Sequence, residues 1–506
     1  MCGIAALYSG AAGTPQGTPI ASVLGALGHR GPDGSAAAVS GRAMLGHTRL
    51  AIVDVQGGAQ PMRGENPRFA LVCNGEIYNH LHLRERLRPR HRFESFSDSE
   101  VVLHLYEDLG ADCVHELEGM FAFFATDGER FVAARDALGI KPLYVGWGSA
   151  TRDLWFASEF KALLPHCDGF MALPPGSYLS HTGEVRTWFS PRWVSELGTS
   201  IPQSGWELRH RLEKAVVRRL MSDVPLGVFL SGGLDSSAVA ALANRHVAGL
   251  ETFAVGLAGA PDLDAARRVA DALGTRHHEC VYTRQQVEAA LEAVIYHLES
   301  YDPALIRSAV PCYFLARRAA ERVKVVLTGE GADELFGGYS YFSSIQDAAQ
   351  LQRECVSLLL NLHSMNLQRV DRMTMAHGLE GRVPFLDTEF VAWSMNLDPS
   401  LKLWQRGSPE KRLLREAFDG CLPSEILHRK KLEFSAGSGV ESILVEHAER
   451  SVTDRDLAGA GEHFPFDPPA TKEAVLYRRL FEGLFPGRWP LANVQKWRQS
   501  DREQAH

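Results

Sequence analysis

The chain has 506 residues, more than one hydrophobic core usually holds, so at least two domains are expected. Hydrophobic residues make up 45% and charged residues 23%, an ordinary globular composition that excludes extended disorder. The net charge of −8 carries no basic signature for nucleic acid, and no apolar run is long enough to span a membrane. The start, Met1-Cys2-Gly3-Ile4-Ala5-Ala6-Leu7, lacks the basic and long apolar regions of a secretory signal. Eight scattered cysteines, none in a CxxC pair, read as reduced thiols of a cytoplasmic protein.

Residues 1–190 read as short strands with few helices. Strands are expected at Gly3–Tyr8, Ala43–Val53, Phe69–Tyr78, Phe121–Ala125, Phe131–Arg135 and Trp155–Ala157, separated by turn formers such as Gly31-Pro32-Asp33-Gly34 and Asp127-Gly128. One helix is marked, Val101–Leu109, with Ser97-Asp98-Ser99-Glu100 in capping-box form before it. The polar stretch 191–206 reads as a linker. Beyond it, in 207–506, β-type runs alternate with helical patterns: Val228–Leu230, a helix at Ser236–Asn244, Phe253–Val255, a helix at Asp264–Leu273, Glu279–Tyr282, helices at Gln285–Leu298 and Ala309–Arg322, then Val323–Leu327. That alternation predicts a parallel sheet covered by helices, followed by a mostly helical C-terminal part. His277-His278-Glu279-Cys280 has metal-ligating residue types, but it enters a strand in which neighbouring side chains point to opposite faces.

Cys2 follows Met1 directly. Removal of Met1 would leave a thiol and a free α-amine on one residue, and the amine could act as the thiol's base. Cys2-Gly3-Ile4 is followed by His29-Arg30-Gly31-Pro32-Asp33, Gly46-His47-Thr48-Arg49-Leu50 and Cys73-Asn74-Gly75-Glu76-Ile77-Tyr78. In these motifs the chain resembles the class II glutamine amidotransferases, which implies an N-terminal-nucleophile αββα sandwich over 1–190. The resemblance implies Cys2 as the nucleophile, Asn74 and the Gly75 N–H as the oxyanion hole, Arg49 on the glutamine α-carboxylate, and Glu76 and Asp98 on its α-ammonium. The chemistry is apt: arginine grips a carboxylate with two parallel hydrogen bonds, and paired N–H donors suit a developing oxyanion. Each residue also has a plainer reading. Asn74-Gly75 suits a hairpin turn, and Asp98 would favour the helix dipole.

Val228-Phe229-Leu230 runs into Ser231-Gly232-Gly233-Leu234-Asp235-Ser236-Ser237 and then a helix. Glycines let backbone approach phosphate, and a helix N-terminus favours negative charge. No Gly-Lys-Ser/Thr follows, so this is not a P-loop. It resembles the pyrophosphate loop of ATP pyrophosphatases, which split ATP between its α- and β-phosphates. Thr328-Gly329-Glu330-Gly331-Ala332-Asp333-Glu334 follows another strand, and ligands gather at the carboxyl ends of parallel strands.

Over nearly its whole length the chain resembles the glutamine-hydrolysing asparagine synthetases, including Val370-Asp371-Arg372-Met373 and Arg382-Val383-Pro384-Phe385-Leu386-Asp387. The resemblance implies ATP bound by Leu230, Ser231, Gly232, Gly233, Asp235, Ser236, Ser237, Val255, Gly329 and Glu330. It implies Mg²⁺ on Asp235 and Asp333, Glu330 handling the incoming ammonia, and Arg307 and Lys431 as cations on the phosphates. It further implies an internal ammonia tunnel and a homodimer. The substrates would be glutamine and a carboxylic-acid acceptor, aspartate by family default, with neither nucleic acid nor membrane as partner.

Five positions depart from the family pattern. Ala304-Leu305, Ala309-Val310 and Ala332 stand where hydroxyl residues are usual, and are expected to line the acceptor pocket. Unpaired polar atoms there would cost roughly 1–3 kcal/mol each. A more apolar acid from a secondary-metabolite pathway is therefore the alternative acceptor. An intramolecular cyclase would not need the complete Cys2 set, and a non-catalytic protein would be expected to have lost Cys2, Asp235, Asp333 or Glu330.

Overall fold

A computed structural model describes residues 2–10, 19–148, 152–198, 204–404 and 409–496. In chain order the first part supplies β1 (Gly3–Tyr8), α1 (Pro19–Ala26), β2 (Gly34–Ser40), β3 (Ala43–Arg49), β4 (Met62–Arg63), β5 (Ala70–Ile77), α2 (His80–Leu87) and α3 (Glu100–Leu109). Then come β6 (Gly119–Thr126), β7 (Phe131–Arg135), β8 (Tyr144–Trp147), β9 (Leu154–Ala157), β10 (Gly169–Ala172), β11 (Ser177–Ser180) and β12 (Val185–Thr187). They form two six-stranded antiparallel sheets, ordered β10-β8-β9-β1-β3-β2 and β12-β11-β7-β6-β5-β4. In β1, Ile4, Ala6 and Tyr8 face the second sheet, while Ala5 and Leu7 face outward, as a period of two requires. Helix α1 covers the outer face of the first sheet, and α2 and α3 cover the second through Leu83, Leu87, Val101 and Leu105. The result is the expected αββα sandwich.

Both sheets are buried on both faces, so their long strands read as continuous apolar runs. The short strands β8 and β10–β12, and the largely exposed, alanine-rich edge strand β2, gave no such signal. The expected strand Ala43–Val53 ends at Arg49. The capping box at Ser97 does not form. Glu100 is already helical, and its carboxylate accepts from the Glu94 and Ser95 N–H groups at 2.6 and 2.9 Å, bracing the preceding loop. Asn74-Gly75 is no hairpin turn but lies inside β5.

The second part supplies α4 (Gly205–Arg218), β13 (Leu226–Phe229), α5 (Leu234–Asn244), β14 (Glu251–Gly256), α6 (Pro261–Leu273), β15 (Arg276–Val281), α7 (Arg284–Leu298), α8 (Pro303–Ala320), β16 (Val325–Leu327) and α9 (Ala332–Phe336). It continues with α10 (Ala348–Asn361), α11 (Asn366–Met375), β17 (Glu380–Arg382), α12 (Thr388–Met395) and α13 (Arg412–Ala417), with further helices to Asn493. Five parallel strands run in the order β15-β14-β13-β16-β17. The chain builds outward from β13 to one side, then returns to its other side at β16. The crevice between the carboxyl ends of β13 and β16 is thus the topological switch point.

Residues 199–203 of the expected linker lie outside the described residues. Its flanks are structured: Trp193 is buried beside Leu208 and Leu212, and Ser204 Oγ caps α4 by accepting the Glu207 N–H at 3.2 Å. Helix α8 starts six residues before the expected Ala309, because Asp302 caps it (Oδ1 to Leu305 N–H, 2.8 Å) and Pro303 suits its first turn. β15 starts three residues before the expected Glu279 and so takes in His277 and His278, bonded to Thr252 and Glu251. One apolar cluster joins Leu7, Met44 and Tyr144 of the sandwich to Phe253, Leu291 and Ile306 of the second part, so the two parts share a core.

Candidate active site

The register of β1 on β3, Gly3 opposite Thr48, brings buried Cys2 beside Arg49 and Leu50. The Cys2 N–H donates to Asn74 Oδ1 at 2.9 Å, and its thiol points at the Leu50 carbonyl, 4.0 Å away. Burial pushes the thiol's pKa up, so reaction near neutrality requires a base. The Nδ2 of Asn74 is buried without a hydrogen-bond partner, a donor free for a ligand. Gly75 has φ +149°, and a Cβ there would sit 1.9 Å from the Met120 carbonyl, so only glycine fits between β5 and β6. Arg49 is steadied by the Asp54 and Val55 carbonyls at 2.6 and 2.9 Å.

Glu76 and Asp98 are buried next to this set. Asp98 Oδ2 accepts the Ile77 N–H at 2.7 Å, and Glu76 Oε1 is 3.3 Å from Nη2 of Arg382. A third carboxylate, Glu380 in β17, lies 2.5 Å from Nε of Arg382. Burial, and then the neighbouring carboxylates, raise the pKa of Glu76. Burial also raises that of Asp98, with Glu380 adding to it. Glu76 and Asp98, held toward the neutral form by burial and by neighbouring carboxylates, would be drawn back to charge by an ammonium ligand.

The second cluster lines a cavity of about 290 Å³ at the switch point. Leu230, Ser231, Gly233, Asp235 and Ser236 line it from the β13–α5 turn, Val255 from β14, and Gly329, Glu330 and Asp333 from the segment after β16. Gly232 has φ +69°, and a Cβ there would lie 2.4 Å from the Ala265 backbone, so glycine is required beneath the turn. Ser236 Oγ accepts the Ser231 N–H at 3.2 Å and closes the turn, while Ser237 Oγ is buried without a hydrogen-bond partner.

Lys411, which the sequence analysis missed, places Nζ 2.5 Å from both Asp235 Oδ2 and Asp333 Oδ1. Lys431 Nζ is also 2.5 Å from Asp333 Oδ1. Burial favours the neutral acids. At Asp333 the two lysines outweigh it and hold the pKa below the ordinary range; at Asp235 burial and the Asp333 charge prevail and raise it. Asp235 Oδ1 is buried with no hydrogen-bond partner. Two carboxylates converging on one cation, with a spare oxygen, are a donor set a hard divalent ion accepts. Glu330 is paired with Arg369, and burial raises its pKa.

Arg307 does not line this cavity. Its guanidinium is held by Glu473 (Nη2 to Oε2, 2.5 Å) and Glu441 (3.1 Å), two carboxylates remote in sequence. Of the five alkyl positions expected around the acceptor, Ala304 and Leu305 line the cavity with Ser308 and Cys312, successive turns of one α8 face. Ala309 and Val310 turn into the apolar core, and Ala332 is buried beneath the cavity. Lys411 and Arg369 gave no signal in sequence because neither belongs to a glycine-rich or strand-linked motif. Arg382 and Arg372 stand in the segments that carried the family resemblance, yet their partners could not be read there.

The sequence pattern of the glutamine amidotransferase domain matches residues 1–178, and that of asparagine synthase matches 207–349 and 343–502. The chain is 46% identical to asparagine synthetase [glutamine-hydrolyzing] 3 of Arabidopsis thaliana, over 96% of this chain and 88% of that one. It is 46% identical to the asparagine synthetase [glutamine-hydrolyzing] of Asparagus officinalis (91% and 81% covered) and 44% identical to a probable one of Dictyostelium discoideum (98% and 96%).

Proposed function

The chain belongs to the glutamine-hydrolysing asparagine synthetase family, and from that premise we propose how its residues share the work. It is an amidotransferase that takes nitrogen from glutamine and uses ATP to amidate a carboxylate. In the first site Cys2 Sγ attacks the glutamine side-chain carbonyl. The C–N bond breaks, ammonia leaves, and water releases glutamate from the thioester. The base is the α-amine that Cys2 gains when Met1 is removed. Asn74 Nδ2 and the Gly75 N–H receive the oxyanion. Arg49 holds the α-carboxylate, and Glu76 and Asp98 hold the α-ammonium.

In the second site the acceptor is aspartate. Its side-chain carboxylate attacks the α-phosphorus of ATP and pyrophosphate departs. Ammonia then attacks the acyl carbon of the mixed anhydride and AMP departs. Glu330 takes the proton that the attacking nitrogen loses, a role suited to a carboxyl whose pKa burial has raised. The Ser231–Ser237 turn cradles phosphate, and Lys411 and Lys431 neutralise charge on the departing pyrophosphate. Asp235 and Asp333 would hold Mg²⁺, which supplies further charge neutralisation on the phosphates. The division into 1–190, the 191–206 linker and 207–506, the dimer and the cytoplasmic setting are part of the same proposal. Eight unpaired thiols support that setting, and among the described residues no helix is long and apolar enough to cross a membrane.

One observation carries the reading. Asp235 and Asp333, from the first turns of α5 and α9, converge on a single cation at the switch point, in a chain whose Cys2 set is complete. The test supplies ATP, Mg²⁺, glutamine and aspartate and follows pyrophosphate and asparagine. Both should form in equal amounts, and Cys2→Ala should abolish the glutamine-driven reaction while ammonia still supports it. Pyrophosphate release with a more apolar acid but none with aspartate would overturn the acceptor assignment, through the alkyl face of Ala304 and Leu305.

A further inference from the structure

On the outer layer of the sandwich, α3 carries His104 and Glu107 one turn apart, and the segment before it brings in His91. The Nδ1 atoms of both histidines face one oxygen, Glu107 Oε2, at 2.8 Å from His104 and 3.3 Å from His91. The rings lie close together, with centroids 4.6 Å apart and planes tilted by 34°. Among the described residues this is the group of three ligating side chains whose donor atoms all fall within 4.8 Å of one another. The outer nitrogens also meet carboxylates: His91 Nε2 is 3.0 Å from Asp108 Oδ1, and His104 Nε2 is 3.7 Å from Glu100 Oε1 and lacks a hydrogen-bond partner.

Each ring therefore faces a carboxylate at both nitrogens. A neutral imidazole has one N–H, so one nitrogen of each ring would turn a lone pair toward an acceptor. Two imidazoliums would satisfy every contact, but they would stack two like charges in a largely buried site. A cation among the two Nδ1 atoms and Glu107 Oε2 removes the conflict. The inward lone pairs become ligands, the His91 Nε2–H is left to donate to Asp108, and the His104 Nε2–H faces the Glu100 carboxylate. A ligating histidine whose far nitrogen meets a carboxylate is the usual outer support of a protein metal site. Tetrahedral zinc with bonds of about 2.0 Å has ligand-to-ligand edges of about 3.3 Å, and the two edges measured here are 2.8 and 3.3 Å.

We propose that His91, His104 and Glu107 bind one zinc ion, with the fourth position open to water. The ion fastens the segment that carries His91 onto α3. This site is separate from both reaction centres and from the Asp235–Asp333 pair. No sulfur takes part, so affinity rests on two imidazoles and one carboxylate.

The test is a titration of the metal-free full-length protein with zinc against a chromophoric chelator, with cobalt(II) as a spectroscopic probe. One equivalent should bind, and cobalt should give the visible bands of a tetrahedral nitrogen–oxygen site without thiolate charge transfer. His91→Ala, at the outer edge of the cluster, should weaken binding at least ~10-fold, the loss of one good ligand. Zinc should raise the unfolding temperature of the parent but not of His91→Ala. This comparison remains interpretable even if His104 variants are unstable. Absence of a one-equivalent site, or a site that His91→Ala and Glu107→Gln leave unchanged, would overturn the proposal and leave a pair of imidazoliums held by carboxylates.

Discussion

Lys411 holds a left-handed backbone, φ +56°, just before α13, a conformation that costs a non-glycine residue roughly 1–3 kcal/mol. That cost is tolerated where the backbone delivers a side chain to one place, and Lys411 Nζ reaches two carboxylates from different helices. Lys411→Met should therefore lower pyrophosphate formation by about 10²–10³-fold, the scale for losing a charge-stabilising group in a dry site. Glutamine hydrolysis should continue, since Lys411 lies in the other centre. Equal loss of both activities would mean that Lys411 supports the fold rather than the chemistry. At this scale the clustering of Cys2 with Asn74 and of Asp235 with Asp333 was legible, because each residue sits in a short motif whose neighbours constrain it. Arg307 was misplaced for the opposite reason. Its partners Glu473 and Glu441 lie more than a hundred residues on, and local sequence says nothing about which carboxylate an arginine will find.

Among the elements, α7 shows how a boundary is set by hydrogen bonds rather than by composition. Thr283 Oγ1 accepts the Gln286 N–H at 3.3 Å and Gln286 Oε1 accepts the Thr283 N–H at 2.9 Å, a reciprocal cap. Thr283→Ala should destabilise the protein by about 1 kcal/mol, read as a lower denaturation midpoint, with both activities intact. An unchanged midpoint would show that packing of Val287, Leu291 and Val294 alone fixes this helix. The start of α7 was legible to within one residue. The Ser97–Glu100 pattern was just as persuasive in sequence but produced no cap, since Glu100 is drawn to the Glu94 and Ser95 amides.

The whole molecule buries several histidines in neutral form. Burial pushes the pKa of His47, His297 and His363 down to about 3 and that of His377 to about 4, from an ordinary 6.5. Below pH 6.5 the unfolded chain binds protons that the fold refuses. Their stabilisation is thus complete above 6.5 and is lost as pH falls toward 3–4. Glu334 opposes them: burial raises its pKa to about 7, so between 4.5 and 7 the fold holds an extra proton. Glu76 and His104, whose pKa values are raised in the fold, take up protons with Glu334, so the four histidines, each worth up to about 1.4 kcal/mol per pH unit, set the direction by their number. Chemical denaturation at pH 7.5 and 5.5 should show a markedly lower midpoint at 5.5, and a flat profile would contradict the assignment.

By itself the sequence determined the two-part plan, the family, the motifs that carry the proposed nucleophile and phosphate turn, and the long strands. Each is a local pattern: a terminal cysteine beside its motif, glycines where a backbone must pass close to its neighbour, and apolar runs in strands buried on both faces. Only the tertiary structure decided which charges meet. Arg30 joins Cys2's carbonyl to Asp371, Arg382 joins Glu76 to Glu380, and Lys411 joins Asp235 to Asp333. It also decided that α8 presents Ala304 and Leu305 to the cavity while Ala309 and Val310 turn into the core. Ion pairs and helix faces depend on where remote segments pack, and no periodicity within one segment carries that information.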